Sequence, residues 1–238
     1  TTSPALRQQP CAAKRQTVGA FRTSLLDSRT AFRRRQANGP SMDPSGSPIR
    51  VLHLSAADIM LFPILRDQLL FLRNLGYSVH TASLDGPLAR RLRDEDRFPW
   101  TPLPLTRSFA PWSDWRGLRF VQRFCREGRF DIVHTHTPKG NLVGQWAARR
   151  AGVPIVLQTV HGFYFHERMG FLERRAWILI ERFSARHSDH ILCQNPEDVA
   201  AALRLNIARA DQITCLGNGV DLRRFRPGLL SPQARAAY

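Results

Sequence analysis

Residues 131–160 read DIVHTHTPKGNLVGQWAARRAGVPIVLQTV and contain a strand, a helix and a second strand in succession. The β-branched run at 131–135 and the apolar run at 154–160 are typical of strands buried on both faces of a sheet. Between them, residues 138–151 begin with a proline and are followed by Gly152. These residue types are favoured in the first turn of a helix and just past its end. The stretch therefore predicts one βαβ unit of a parallel sheet.

The same alternation extends in both directions from this unit. Four leucines spaced for one helical face, followed by Gly76, predict a helix in the first crossover: Leu61, Leu65, Leu69 and Leu72. We predict further strands at 49–54, 77–83, 99–105, 190–193 and 212–216, and further helices at 87–95, 112–126, 171–187 and 196–205. Strands that alternate with helices indicate an α/β fold, a Rossmann-like parallel sheet with helices on both faces.

The positive charge is concentrated at the start of the chain. The 238 residues carry 35 lysines and arginines against 19 acids, a formal net charge of +16. Residues 1–41 hold eight of the basic residues and one acid, so this segment has a charge of +7 and the other 197 residues have +9. We predict a disordered basic segment over residues 1–48. Three interpretations stay open: a transit peptide, a nucleic-acid-binding arm, or an upstream extension outside the working protein, which Met42 just before the first strand favours.

Several protein classes are disfavoured by what the sequence lacks. The sequence contains no run of about 18 uncharged apolar residues, so no membrane-spanning helix is predicted. The four cysteines are scattered without a C-x-x-C motif, which argues against a zinc knuckle or a disulfide framework and fits a reducing compartment. The motifs G-x-G-x-x-G, G-x-x-x-x-G-K-[ST] and G-x-S-x-G are absent from the strand ends. A dinucleotide-binding domain, a P-loop NTPase and a common α/β-hydrolase are therefore disfavoured.

Two histidine-containing stretches follow predicted strands, where functional groups of parallel sheets gather. His134 and His136 are two residues apart on a strand, so both rings point to one face and could bind one metal ion. The alternative is a pair of buried, hydrogen-bonded rings. His161 ends the next strand and opens the stretch HGFYFHE at 161–167, where an imidazole can orient a hydroxyl or a phosphate. The aromatic rings of this stretch either stack on a sugar or pack in the core.

The helix predicted at 171–187 is apolar over a broad surface and has a basic edge. Its predicted core-facing residues are Leu172, Ala176, Leu179 and Phe183. Such a helix either lies on a membrane surface or covers the sheet with a solvated basic edge, and the pattern favours the second.

Four motifs in order resemble the amino-terminal half of family 4 glycosyltransferases, which have the GT-B architecture. They are DIVHTHTPKGN at 131–141, QTVHGFYFHE at 158–167, ERFSARHSDHILCQNPED at 181–198 and GNGVDLRRFRP at 217–227. The resemblance covers about residues 49–228 and is strongest to bacterial enzymes of capsule, exopolysaccharide and lipid-linked oligosaccharide assembly. It implies retaining, metal-free transfer from a nucleotide sugar, which acts as co-substrate with no further cofactor, to a lipid-linked or polysaccharide acceptor.

The resemblance also implies roles for individual residues. The family's catalytic histidine falls on His161, where it would orient the transferred sugar or its phosphate. Residues 137–140 would lie on a loop facing the cleft. The implied substrate-binding residues are Thr137, Lys139, Gly140, Gly162, Phe163, Glu167, Asn218 and Gly219.

Two departures from the family pattern bear on function. The loop after the first strand is SAAD at 55–58, in place of the glycine-rich loop that approaches the donor phosphates in many members. Residues 49–228 correspond to the acceptor-side domain, and 229–238 to an interdomain segment or the start of a second domain. The donor-binding domain is thus a missing partner, and we expect residues 1–238 alone to be inactive.

The charge outside the basic leader suits a cytoplasmic enzyme in peripheral contact with the anionic inner face of the plasma membrane. Nucleic acid is not a predicted partner. Two alternatives remain: a metal-dependent hydrolase using His134 and His136, which predicts stoichiometric zinc, and a basic non-catalytic binding module. The binding module predicts a salt-sensitive association with DNA or RNA that is lost when residues 1–41 are removed.

Overall fold

The structure of the protein is a computed structural model that describes residues 42, 43, 46–106, 108, 110–217 and 219. The strands within these residues are β1 (Arg50–Ser55), β2 (Ser78–Ser83), β3 (Trp100–Pro102), β4 (Ile132–His136), β5 (Ile155–Val160), β6 (His190–Cys193) and β7 (Ile213–Cys215). The α-helices are α1 (Arg66–Asn74), α2 (Pro87–Asp96), α3 (Pro111–Gly128), α4 (Pro138–Ala151), α5 (Phe171–Arg186) and α6 (Pro196–Arg204). A short π-helix, Met60–Ile64, precedes α1.

The seven strands form one parallel sheet in the order β3-β2-β1-β4-β5-β6-β7. The chain moves outward from β1 to one edge, returns through α3, and then moves outward to the other edge. The order of strands therefore reverses between β1 and β4, and in such sheets ligands bind in the crevice beyond the carboxyl ends of the strands at this point. The predicted fold class, a Rossmann-like parallel sheet with helices on both faces, is confirmed.

The helices divide between the two faces of the sheet. The π-helix, α1 and α2 pack over β2 on one face, around Leu61, Leu69 and Leu92. Helices α3 and α4 cover β1, β2 and β4 on the other face, and α5 and α6 continue this layer over β5, β6 and β7. Both layers bury apolar side chains, as the near-continuous hydrophobic strands predict.

Helix α4 lies at the centre of the second layer and approaches the sheet closely. A Cβ atom at Gly144 would come 2.9 Å from the Thr135 side chain and 3.0 Å from that of Leu54, so a larger residue there would displace these side chains or the helix. Its bounds, Pro138–Ala151, agree with the prediction, and Gly152 adopts the left-handed conformation that ends the helix. Because the helix is held against β1 and β4, its first turn has a fixed position at the carboxyl edge of the sheet.

Two predictions about helices are wrong in detail. The helix carrying the four leucines is not continuous, because Pro63 has no N–H group and the backbone passes through the π-helix before α1 begins. In α5, the side predicted to cover the sheet points outward, since Leu172 is 80% exposed and Leu179 is 60% exposed. The buried side of α5 carries Ile178, Glu181, Ser184 and Ala185 instead.

Candidate functional site

Four histidines meet at the centre of the sheet. Residues two apart on a strand share a face, so His134 and His136 of β4 point the same way. His53 of β1 pairs in register with His134, and His161 directly follows β5. The rings of His53, His134 and His136 are buried, whereas His161 is half-buried at the carboxyl edge.

The rings contact one another through their nitrogen atoms. His53 Nδ1 lies 3.1 Å from His136 Nε2, and His136 Nδ1 lies 3.2 Å from His161 Nε2. These distances are hydrogen-bond distances. His134 is bonded separately, with its Nε2 at 2.7 Å from the hydroxyl of Thr159. A continuous hydrogen-bonded path thus runs from the sheet interior to its edge.

Burial favours the uncharged form of all four rings. It lowers the pKa of His53 to about 4, and it lowers the pKa values of His134 and His136 well below their usual range. The pKa of His161 is lowered too, chiefly by burial, although a hydrogen bond with the Gln194 side chain opposes the effect. The group facing the carboxyl edge is therefore a neutral imidazole that can donate or accept a hydrogen bond.

His53, His134 and His136 also form the group that could hold a metal ion, since one nitrogen from each lies within 4.8 Å of the others. The predicted placement of His134 and His136 on one face is confirmed. The group contains no carboxylate, and its short nitrogen–nitrogen contacts agree with hydrogen bonds between neutral rings.

The loop between β4 and α4 is held against the end of β1. Thr137 has φ 70° and ψ 146°, a conformation that is unusual for a residue other than glycine. Its hydroxyl accepts a hydrogen bond from the Ala56 backbone at 3.1 Å. At Gly140, a Cβ atom would come 3.0 Å from that hydroxyl and 3.2 Å from the Ala56 nitrogen, so a side chain there would push the two loops apart. Thr137 and Gly140 therefore fix the shape of this edge.

The expectation that residues 137–140 form a loop is wrong, because α4 begins at Pro138 and only Thr137 separates it from β4. Lys139 lies in the first turn of α4 and is buried, with 4% of its side chain exposed. Its ammonium group lies 2.5 Å from the Asp114 carboxylate and donates to the backbone oxygen of Ser108 at 2.5 Å. It also contacts the Thr106 hydroxyl at 3.2 Å. These contacts join the first turn of α4 to α3 and to the loop before it.

The stretch after β5 places its residues in different environments. Gly162 has φ 126°, which explains why glycine occupies the position after His161. Phe163 is half-buried and stacks on Phe165 at 4.9 Å, so it packs in the core. Tyr164 is exposed and contacts the ring of Trp177. Glu167 is exposed on the same loop.

The last two predicted site residues follow β7. Gly219 is exposed, and a side chain at this position would have open space around it. Asn218 lies outside the described residues. The structure therefore brings His161 to the sheet edge against His136, which directly precedes Thr137 and the first turn of α4, where Gly140 lies.

His53 is the residue that sequence reasoning missed. A histidine inside the apolar strand 49–54 is the only signal in the sequence, and it gives no partner. The partner depends on the register in which β1 pairs with β4. That register depends on how α4 packs on both strands, so the residues around His53 do not predict it.

The sequence profile of the family described as "Glycosyl transferase 4-like domain" matches residues 65–219 of the chain. The chain belongs to this family. The match begins at Leu65, between the π-helix and α1, and ends just after β7. It includes every residue from β2 onward that lies at the carboxyl edge of the sheet. The resemblance to family 4 glycosyltransferases, which the four sequence motifs indicated, is thus confirmed.

Named relatives of the chain are bacterial glycosyltransferases. The chain is 33% identical over 144 residues to an Escherichia coli protein named UDP-Gal:alpha-D-GlcNAc-diphosphoundecaprenol alpha-1,3-galactosyltransferase, covering 60% of this chain and 37% of that protein. It is 29% identical over 182 residues to the Staphylococcus aureus capsular polysaccharide biosynthesis glycosyltransferase CapM, covering 74% and 46%. The chain therefore spans less than half the length of these relatives.

Solved structures share the fold at low sequence identity. A glycosyltransferase from Rickettsia africae matches with a TM-score of 0.58 at 17% identity, over 80% of this chain and 48% of that one. A UDP-N-acetylglucosamine 2-epimerase from Rickettsia bellii matches with a TM-score of 0.56 at 15% identity, over 80% and 51%. Because an epimerase shares the fold, the fold alone does not decide the reaction.

No helix in the part of the chain that the structure describes combines the length and the apolar character needed to cross a membrane.

Proposed function

We propose that this domain is the acceptor side of a glycosyltransferase that moves a sugar from a nucleotide sugar to a lipid-linked or polysaccharide acceptor, with retention of configuration. The observation that carries the proposal is the neutral, half-buried His161 at the carboxyl edge of the sheet, beside the point where the strand order reverses. Membership of the glycosyl transferase 4-like family supplies the reaction class.

The name of the Escherichia coli relative supports a narrower choice of substrates. It specifies a UDP-activated galactose and an N-acetylglucosamine carried on a polyprenyl diphosphate. By this likeness, we infer a UDP-hexose donor and a polyprenyl-diphosphate-linked sugar acceptor for this chain. The comparisons offer no support for the hydrolase alternative.

A neutral imidazole suits the role of orienting a sugar. His161 exchanges a hydrogen bond with a sugar hydroxyl or a phosphate oxygen and needs no charge to do so. A cation at this edge would be costly, because His136 and the strands around it exclude water. The donor diphosphate needs positive charge or oriented N–H groups as the leaving group departs. We assign that part of the reaction to a second, facing domain.

Thr137 and the first turn of α4 hold the acceptor in this proposal. Thr137 and Gly140 fix this segment through their contacts with Ala56, and Lys139 anchors it to Asp114 of α3. Gly162 and the exposed Glu167 follow His161 on the loop after β5 and, in this proposal, contribute backbone and carboxylate groups to the acceptor sugar. Phe163 acts through packing, and Asn218 and Gly219 are carried over as acceptor-binding residues from the family motif alone.

We test the acceptor role by titration. The polypeptide of residues 1–238 is titrated with a short-chain prenyl diphosphate carrying N-acetylglucosamine, and binding is followed by calorimetry. His161→Ala should weaken binding about five- to tenfold, the loss of roughly one hydrogen bond. His187→Ala is the matched control, because that ring bonds to the Phe183 carbonyl at the opposite end of α5. Equal affinity in the His161 and His187 variants would reject the assigned role of His161.

Peripheral contact with an anionic bilayer belongs to the same proposal. Helices α3 and α5 both begin at the carboxyl edge of the sheet, and their first turns expose large apolar residues: Trp112, Trp115, Phe171 and Leu172. Arg119 lies over the Trp115 ring and Arg175 over the Phe171 ring. Exposed apolar side chains with adjacent arginines are the composition of a surface that binds anionic lipid.

Sedimentation with vesicles tests this contact. The polypeptide should bind vesicles that contain phosphatidylglycerol and should dissociate as the salt concentration rises. The double substitution Phe171→Ser with Leu172→Ser should remove most of the bound fraction. The matched control is Phe71→Ser with Leu75→Ser, an exposed apolar pair on and just after α1 near the amino edge of the sheet. The same loss in both double variants would contradict a membrane surface at the carboxyl edge.

A further inference from the structure

We propose that His53 and His136 are positioning residues that determine which ring nitrogen of His161 carries its proton, so that His161 presents Nδ1–H as a hydrogen-bond donor. The proposal is based on the hydrogen-bonded path that joins the rings of His53, His136 and His161. Its consequence for the reaction rests on the proposed function, but the assignment of the proton is a property of the free protein.

The geometry of the first contact is that of a hydrogen bond in the plane of the rings. The rings of His53 and His136 are nearly parallel, at 11°, with their centroids 5.4 Å apart. A nitrogen–nitrogen distance of 3.1 Å between rings whose centres are so far apart is an end-to-end contact. The rings of His136 and His161 have the same centroid separation, 5.4 Å, at an angle of 42°.

Counting protons restricts the path to two states. Each contact needs one N–H group and one bare nitrogen. A neutral His136 has one of each, so it donates to one neighbour and accepts from the other. Either every N–H points from His53 toward His161, or every N–H points the opposite way. Burial keeps the pKa of His136 low, which excludes the doubly protonated ring that would donate to both.

The buried end of the path selects between these states. His53 Nε2 is buried and has no hydrogen-bond partner in the part of the chain that the structure describes. If the N–H groups pointed toward His53, this nitrogen would carry an unpaired buried proton. Buried backbone N–H groups without a partner are rarer than carbonyls without one, and we apply the same preference to the ring. His53 Nε2 is therefore the bare nitrogen, and its proton is on Nδ1.

The rest of the path follows from this choice. His53 Nδ1–H donates to His136 Nε2, and His136 Nδ1–H donates to His161 Nε2. His161 must then carry its own proton on Nδ1. All three rings have the same tautomer, which is the opposite of the one that a histidine side chain prefers in water. At the sheet edge, His161 is a donor to a sugar hydroxyl or phosphate oxygen, and its Nδ1 is not available as a base.

Nitrogen-15 NMR of the histidine rings in residues 1–238 tests the inference without any substrate. Protonated and bare ring nitrogens differ widely in shift, so long-range proton–nitrogen spectra identify each tautomer at neutral pH. We expect Nδ1–H for His53, His136 and His161. His187 is the internal reference, because its Nδ1 must donate to the Phe183 carbonyl at 2.8 Å.

A substitution separates the path from the local surroundings of His161. In His136→Asp, the carboxylate beside His161 Nε2 can only accept a hydrogen bond, so the His161 signals should move to the Nε2–H form while those of His187 stay unchanged. Nε2–H on His161 in the unsubstituted protein would overturn the proposal. A joint shift of the His53, His134 and His136 signals with one equivalent of zinc would overturn it as well, since that is a metal site. Neither result depends on acceptor binding, so failure here is distinct from failure of the proposed function.

Discussion

Each buried histidine makes the free energy of unfolding of this protein depend on pH. His53 has a pKa of about 4 in the folded protein, lowered by burial from 6.5. Between these values the unfolded chain binds a proton that the folded protein does not, so the free energy of unfolding falls as the pH drops from about 6.5 to 4. One ring shifted by this amount contributes about 3 kcal/mol.

Chemical unfolding at pH 7.5 and at pH 5 measures this effect. In His53→Phe, the free energy of unfolding should depend less on pH, because one of the rings that is buried in its neutral form has been removed. His166→Gln is the control, since His166 is exposed on the loop after β5. If the protein with its native histidines were equally stable at both pH values, the cluster could not be a set of buried neutral rings.

A buried ion pair joins helices α3 and α4. Lys139 and Asp114 form an ion pair whose side chains are 4% and 16% exposed. Removing one partner leaves a buried charge without compensation, which typically costs about 3–5 kcal/mol. Lys139→Met should therefore lower the free energy of unfolding by about 3 kcal/mol, measured by urea denaturation.

Two further variants decide whether burial is the reason. Arg123→Met removes an ion pair of the same helix α3, but Arg123 and Glu127 are both largely exposed, so the cost should be under about 1 kcal/mol. The double variant Lys139→Met with Asp114→Asn should recover part of the loss, because the unpaired carboxylate is gone. Equal losses in the Lys139 and Arg123 variants would mean that the ion pair does not hold the two helices together.

Elements were predictable from the sequence where local signals mark their ends. Pro138 and Gly152 bracket α4, and its observed bounds agree with the predicted ones. The outward face of α5 was not predictable in this way. Periodicity shows that one side of a helix is apolar, but the sheet below α5 already offers the Gln158 amide to the Glu181 carboxylate. The polar side is buried at that contact, where burial raises the pKa of Glu181 to about 7.

The candidate site was predictable only in part, for the same reason. His161 and Thr137 follow strands, and the carboxyl ends of parallel strands meet at one edge whatever the register. The buried contacts of Lys139 and of His53 depend on which strands and helices are neighbours. Those contacts are between residues 25 or more positions apart in the sequence, so no local pattern encodes them.

For the whole molecule, family membership is stronger evidence of the reaction than the fold is. The sheet is shared with glycosyltransferases and with an epimerase, whereas the family match and the relatives of known name favour sugar transfer. The chain spans less than half of those relatives, and its described residues supply a neutral histidine and a shaped edge. The proposed function assigns the acceptor to this domain and the nucleotide to a second, facing domain.

The most direct measurement compares the two substrates on the same polypeptide. Residues 1–238 are titrated separately with UDP and with the short-chain prenyl diphosphate carrying N-acetylglucosamine, and turnover is measured with a UDP-hexose and the acceptor together. We expect the acceptor to bind at least about tenfold tighter than UDP, a difference of about 1.4 kcal/mol, and no appreciable sugar transfer to occur. Tighter binding of UDP than of the acceptor, or steady sugar transfer by this polypeptide, would contradict this expectation.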